Sequence, residues 1–340
     1  MITQIASPTR EWLEKAKEYI LSGDVVAFHT ETVYGLGANA FDDRAVQRIF
    51  SLKGRPQDNP LIAHVHSEFD IRPLVDYVPE YTFALRKAFL PGPLTMVYPS
   101  TGKVSGFVSC GLNTLAIRIP SSIAAQAFLK EVNLPIAAPS ANRSKHVSPV
   151  TAQHVYDDFH GEIPLILDGG ASQGGIESTV LDCTGEIPVI LREGLITREM
   201  ILSVVGKCEV YTKKADEKPK SPGMAYQHYS PKCKTAFFTA AECDTALSLY
   251  LKEEERGGKP YFLVQSGCCG EICKGRNVLP LGETGEEMAQ KLYFQLRKAE
   301  SCATLLICIE PALRGGVMAG VMNRLTRAFA ARESSSGEEK

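Results

Sequence analysis

The chain has almost no net charge: among 340 residues, 37 Lys+Arg stand against 39 Asp+Glu, a formal balance of −2. This argues against holding nucleic acid by an overall cationic field, although a local basic site stays open. No apolar run approaches the roughly 20 residues of a membrane span. The stretch Met1 to Tyr19 carries Glu11, Lys15, Lys17 and Glu18 where a secretory signal would be apolar. There is no glycine-lysine loop of the form G-x-x-x-x-G-K followed by Ser or Thr, so any use of ATP must proceed without a P-loop. Histidine is missing beyond His228. No C-x-x-C pair occurs among the ten cysteines, eight of which lie from Cys208 onward, after Cys110 and Cys183. The tightest group, Cys268, Cys269 and Cys273, lacks zinc-finger spacing, and Cys302 and Cys308 lie further on. Disulfide-dense domains are short and secreted, so free thiols in a reduced, cytoplasmic protein are expected, with no zinc and no membrane.

A hydrophobic fraction of 44% is enough for a real core, and the length suits two domains. Ser7-Pro8 reads as the start of a helix carrying Trp12, Ala16, Tyr19 and Ile20 and closed by Gly23. Ala45, Ile49, Phe50 and Leu52 mark a second helix ending at Gly54. Strands are expected at 25–28, 61–65, 94–98, 114–119, 135–138, 165–167, 179–182 and 189–192, with helices around 79–89, 122–130 and 151–158. This predicts an α/β domain over 1–205 built on a large, mostly β, open twisted sheet with flanking helices. A Lys/Pro-rich linker follows over 206–231. A smaller Rossmann-like α/β domain is expected over 232–340, with strands at 236–239, 261–264 and 304–309. The Ser/Glu-rich tail 333–340 reads as disordered.

Gly35-Leu36-Gly37-Ala38-Asn39-Ala40 fits a dinucleotide fingerprint. The next helix, however, is expected to begin at Asp42-Asp43, whose carboxylates would repel a pyrophosphate, so neither NAD nor FAD is expected. Lys53-Gly54-Arg55 places a point charge and a planar fork on either side of a glycine, both suited to phosphate oxygens; a solvated basic turn is the plain alternative. Alternation puts Thr114, Ala116 and Arg118 on one strand face, and an Arg in an apolar strand must be paired or line a cleft. His64 and His66 share a face of the strand at 61–66. Pro135 to Ser144 ends in a Ser/Asn loop with Ser140, Asn142 and then Ser148, able to offer hydroxyls and N–H groups to an anion or a base. Gly174-Gly175-Ile176-Glu177-Ser178-Thr179 forms a second glycine-rich loop, and Arg192 ends the next strand. Ser221 to Pro231 holds Tyr226, His228 and Tyr229, more than a tether needs.

These segments, with Gly320 to Ala328 (Gly-Val-Met-Asn-Arg-Leu-Thr-Arg-Ala), resemble the threonylcarbamoyl-AMP synthases, in the two-domain form with a YrdC-like first domain. The resemblance implies synthesis of L-threonylcarbamoyladenylate from L-threonine, bicarbonate and ATP, with Mg²⁺ carried by ATP. The product would pass to a tRNA threonylcarbamoyl-transferase complex for N6-threonylcarbamoylation of adenosine 37, with direct tRNA binding weak. It assigns phosphate binding and catalysis to Lys53 and Arg55. ATP contacts are implied at Asn59, Thr114, Ser140, Asn142, Ser148 and Arg192, with Tyr226 and His228 closing over the nucleotide. Threonine contacts carry over to Thr32, His64, Arg118, Ala138 and Ser178. The sequence departs from the family pattern at His29, Lys145 and Glu193, the last placing an anion beside Arg192. Two rivals are a double-stranded RNA binder and a carbamoyltransferase using carbamoyl phosphate; the latter's zinc-finger cysteine pairs are missing here.

Overall fold

A computed structural model describes residues 1–212, 229–268 and 270–330. The first part of the chain supplies strands β1 (Gln4–Ala6), β2 (Val26–Phe28), β3 (Gly35–Asn39), β4 (Ile62–His64), β5 (Leu94–Pro99), β6 (Thr114–Arg118), β7 (Ile136–Ala137), β8 (Leu165–Leu167), β9 (Thr179–Asp182), β10 (Val189–Arg192) and β11 (Glu209–Val210). They form one mixed sheet in the order β1-β8-β2-β3-β7-β4-β6-β5-β9-β10-β11. Helices α1 (Arg10–Leu21), α2 (Asp43–Lys53), α3 (Tyr81–Phe89), α4 (Gly106–Ser109), α5 (Ile123–Val132), α6 (Ala152–Phe159) and α7 (Arg198–Val205) flank it. Strand alternation splits the core in two: Val26 and Phe28 pack with Phe128 and Leu129 of α5, whereas Ala27 joins Val46, Ile49 and Phe50 of α2 on the other side.

The second part is a parallel sheet, β12 (Lys234–Phe238), β15 (Leu305–Ile309), β13 (Pro260–Val264) and β14 (Val278–Pro280), in that spatial order. Helices α8 (Cys243–Glu255), α9 (Gly285–Cys302) and α10 (Met318–Phe329) complete it. Its main core is continuous with the first domain, for Val33, Val147, Val150 and Ile176 belong to the same buried cluster as Leu292, Tyr293 and Leu325.

Several expectations shift. The first helix begins after Thr9 rather than at Ser7-Pro8. Gly35 to Asn39, where no strand was expected, forms β3, paired antiparallel with β2 and β7. The glycines serve sheet packing: a Cβ at Gly37 would sit 2.7 Å from Ile136 Cγ2 and 2.9 Å from the Phe28 ring. The first sheet also runs past residue 205, because Glu209–Val210 pairs in parallel with Val189–Ile190 inside the segment expected to be linker. The rest of that linker over 213–228, and the tail, lie outside the described residues.

Candidate active site

The cleft grows out of chain ends. Helix α2 is capped by Asp42, whose carboxylate accepts from Arg44 and Ala45 N–H. It stops at Gly54, which takes the left-handed conformation at φ 60°. The stop leaves Lys53 pointing inward from the last turn and swings Arg55 to the same side. His64 and Arg118 end β4 and β6, paired in register, and Arg192 ends β10. The loop after β7 supplies Ala138, Ser140, Asn142 and Ser148.

Together these line an open cleft of about 760 Å³, solvent at its mouth included. It gathers Thr32, Lys53, Arg55, His64, Arg118, Ala138, Ser140, Asn142, Ser148, Ser178 and Arg192. Two expected residues stand apart. Asn59 is buried behind the cleft with both side-chain polar atoms unpaired, its carbonyl accepting from Arg55 Nε at 3.1 Å. Thr114, at the far start of β6, opens on a small neighbouring cavity bordered by Pro60 and Leu61. Distance along the strand separates it from Arg118, four residues on. Tyr226 and His228 lie outside the described residues, but Tyr229 is buried and lines the cleft.

Lys53 is 3% exposed, and its ammonium donates to the carbonyls of Ser140, at 2.5 Å, and Asn142. Burial, then the charge of Arg55, pushes its pKa well below the ordinary lysine value. Arg55 donates from Nε and Nη2 to the Asn59 and Pro60 carbonyls. Burial lowers its pKa to about 10. Arg192 is lowered as well, by burial and then by Arg324, and donates to the Ser178 carbonyl and hydroxyl at 3.1 and 3.2 Å. Buried cations that disfavour one another's charge form a site that an anion relieves.

Ser140 donates its hydroxyl to Asn142 Oδ1 at 2.6 Å, and Asn142 Nδ2 donates to the carbonyls of Arg143 and His146. The Asn142 amide thus braces the loop. Arg118 pairs with Glu31 at 2.8 Å. Burial favours the neutral acid at Glu31, but Arg118 outweighs it and lowers the pKa. His64 sits with Nδ1 3.2 Å from the Ile62 carbonyl, and burial, reinforced by Arg118, holds it neutral with a pKa of about 3. Nδ1 donating to that carbonyl leaves Nε2 an acceptor.

Sequence reasoning did not single out Glu177, the one carboxylate among the described residues that lines this cleft. It accepts from Ser148 Oγ at 2.7 Å, Tyr293 OH at 2.8 Å and Arg324 Nε at 3.1 Å. Burial raises its pKa, but Arg324 and Arg192 outweigh that and bring it to about 2. A lone acid inside a loop leading to a basic cleft was the available signal. Its partners, 116 and 147 residues away, were not. Glu193 does not line the cleft; its carbonyl accepts from Arg324 Nη1 at 2.5 Å.

Among the described residues no group of three His, Cys, Asp or Glu could hold a metal ion, and no helix is long and apolar enough to cross a membrane. Fold and cleft together define an α/β domain with a basic cleft, joined to a Rossmann-like partner. The Sua5/YciO/YrdC family model, described as "Telomere recombination", matches residues 18–194. The model described as "Threonylcarbamoyl-AMP synthase, C-terminal domain" matches residues 196–330. A threonylcarbamoyl-AMP synthase of Pyrococcus abyssi is 40% identical, covering 96% of this chain and 97% of that protein. One of Bacillus subtilis is 39% identical, covering 97% and 96%. The crystal structure of P. abyssi Sua5 complexed with L-threonine superposes with a TM-score of 0.87 at 38% identity, covering 96% and 97% of the two chains. This chain belongs to the threonylcarbamoyl-AMP synthase family.

Proposed function

We infer that the chain joins L-threonine, bicarbonate and ATP into L-threonylcarbamoyladenylate and releases pyrophosphate. The observation that carries this reading is the convergence of Lys53, Arg55, Arg118 and Arg192 on one cleft in which, among the described residues, Glu177 is the only carboxylate. A threonine N-carbamate is already an anionic nucleophile, so the reaction needs no strong base. What it needs is a field in which that anion can approach the α-phosphate, another anion. The side chains meet that demand. Lys53 spends two donors on carbonyls and keeps a third N–H for phosphate oxygen. Arg55, fixed by two carbonyls, presents the rest of its fork to the phosphates.

At the other end of the cleft Arg118 takes the threonine carboxylate. Glu31 already holds one edge of that guanidinium, so the substrate uses what remains and its orientation is set in advance. Neutral His64 offers Nε2 to the threonine hydroxyl or amine, and Thr32 and Ser178 complete the amino-acid side. Mg²⁺ would arrive bound to the ATP phosphates and supply charge neutralisation there; Glu177, the only carboxylate among the described residues lining the cleft, already accepts from Ser148, Tyr293 and Arg324. The mixed anhydride product is hydrolysis-prone, which fits hand-over to a transferase that modifies tRNA. The test is mass-spectrometric detection of threonylcarbamoyl-AMP from purified protein, with each substrate omitted in turn.

A further inference from the structure

We propose that the second domain is a working part of the active site. One face of its helix α9 fixes Val147 directly and the cleft residue Ser148 through Glu177, the positioning residue through which it acts on Ser148 and Arg192. The inference rests on the synthase reading and extends it to residues without an assigned role.

Tyr293 and Arg297 lie one turn apart on α9 and therefore share a face. Arg297 is 9% exposed and donates Nη1 and Nη2 to Asp158 at 3.0 and 2.6 Å, and Nη2 to the Val147 carbonyl at 2.5 Å. Tyr293, fully buried, donates its hydroxyl to Glu177 Oε2, and Ser148 donates to Oε1 of the same carboxylate. Residue 147 is thus held through its carbonyl and residue 148 through its hydroxyl, both from one helix face.

Helix α10 secures the same carboxylate. Arg324 is fully buried, bonded to Glu177 and to the Glu193 carbonyl, next to Arg192 in sequence. Four residues earlier Gly320 lets the helix approach: a Cβ there would lie 3.3 Å from Gly194 Cα. The Tyr229 ring stacks on Tyr293 at 5.2 Å, carrying the contact into the cleft lining. Arg297 Nε and Arg324 Nη2 have no hydrogen-bond partner among the described residues, and the bonds the other atoms make to Glu177, Asp158 and the Val147 and Glu193 carbonyls hold the side chains in one geometry. The network also charges the wall: with Glu177 ionised between Arg324 and Arg192, the guanidinium of Arg192 keeps a counter-charge while the cleft awaits its anion.

The decisive experiment is a double-mutant cycle on the full chain with Ser148→Ala and Tyr293→Phe, reading ATP and L-threonine affinity by calorimetry beside KM and kcat. Tyr293→Phe removes one oxygen and leaves the ring stack. It is expected to weaken ATP binding about fivefold while threonine affinity stays within about twofold. In the Ser148→Ala background the same change is expected to cost less than it does alone, because of its two routes to the nucleotide the one through Ser148 is already cut and only the one through Arg192 remains. Additive effects, or a Tyr293→Phe protein indistinguishable from the parent, would overturn the proposal. Coupling in ATP affinity without threonylcarbamoyl-AMP formation would uphold it while removing the synthase reading.

Discussion

Lys53 ends its helix with an ammonium clamped by two carbonyls and almost no solvent around it. Its proton is held weakly, by burial and by Arg55. A bound polyanion reverses that balance. Nucleotide binding at alkaline pH should therefore take up a proton, and affinity should fall as pH rises above the depressed lysine value. Calorimetry in buffers of different ionisation enthalpy reads the uptake directly; equal apparent enthalpies in all buffers would remove the charge-relief account. On the proposed roles, each cation also stabilises the transition state. Lys53→Ala and Arg55→Ala are each expected to cut pyrophosphate release about a hundredfold or more with the fold intact. Near-normal turnover in both, with native circular dichroism, would end their assigned roles. These residues were legible because Lys53-Gly54-Arg55 packs its chemistry into three positions. Arg118 was legible because an arginine breaks an apolar strand.

At the scale of elements, legibility followed length and contrast. Helix α2 shows its Asp42 cap, its apolar face and its glycine stop in eleven residues. Strand β1 has three residues and owes its existence to Leu165–Leu167, about 160 positions away, so no local pattern marks it. Gly35 and Gly37 looked like a phosphate loop because a spacing motif cannot tell a tight turn from a strand crowded by Phe28 and Ile136. Gly175 shows the same ambiguity in the docking of α9. It adopts φ 70°, and a Cβ there would lie 2.1 Å from the Ala289 carbonyl oxygen of that helix. Gly175→Ala is expected to destabilise the protein by about 1–3 kcal/mol through forced displacement of α9. ATP affinity should fall with it, since Tyr293 and Arg297 move with the helix. A thermal melt together with ATP calorimetry checks this; an unchanged melt would show that the helix does not seat on this loop.

Loops of the first domain (Val33, Val147, Val150, Ile176) and helices and strands of the second share one buried cluster, and this is what the sequence concealed most fully. Composition and strand patterning separated two domains, and an ordered set of short segments pointed to the family. The joint between the domains is made by side chains whose partners lie more than a hundred residues away, Glu177 with Tyr293 and Arg324, and Asp158 with Arg297. In sequence these read as an ordinary loop acid and ordinary helix residues. The near-zero net charge hides the cleft in the same way, because Lys53, Arg55, Arg118, Lys145 and Arg192 converge on it while acidic residues elsewhere balance them. That convergence is the central claim, and it has a direct test. Purified protein incubated with ATP, Mg²⁺, L-threonine and bicarbonate should yield threonylcarbamoyl-AMP and pyrophosphate by mass spectrometry, with neither formed when threonine or bicarbonate is left out. Pyrophosphate release that ignores threonine, or no adenylate under complete conditions, would contradict the account.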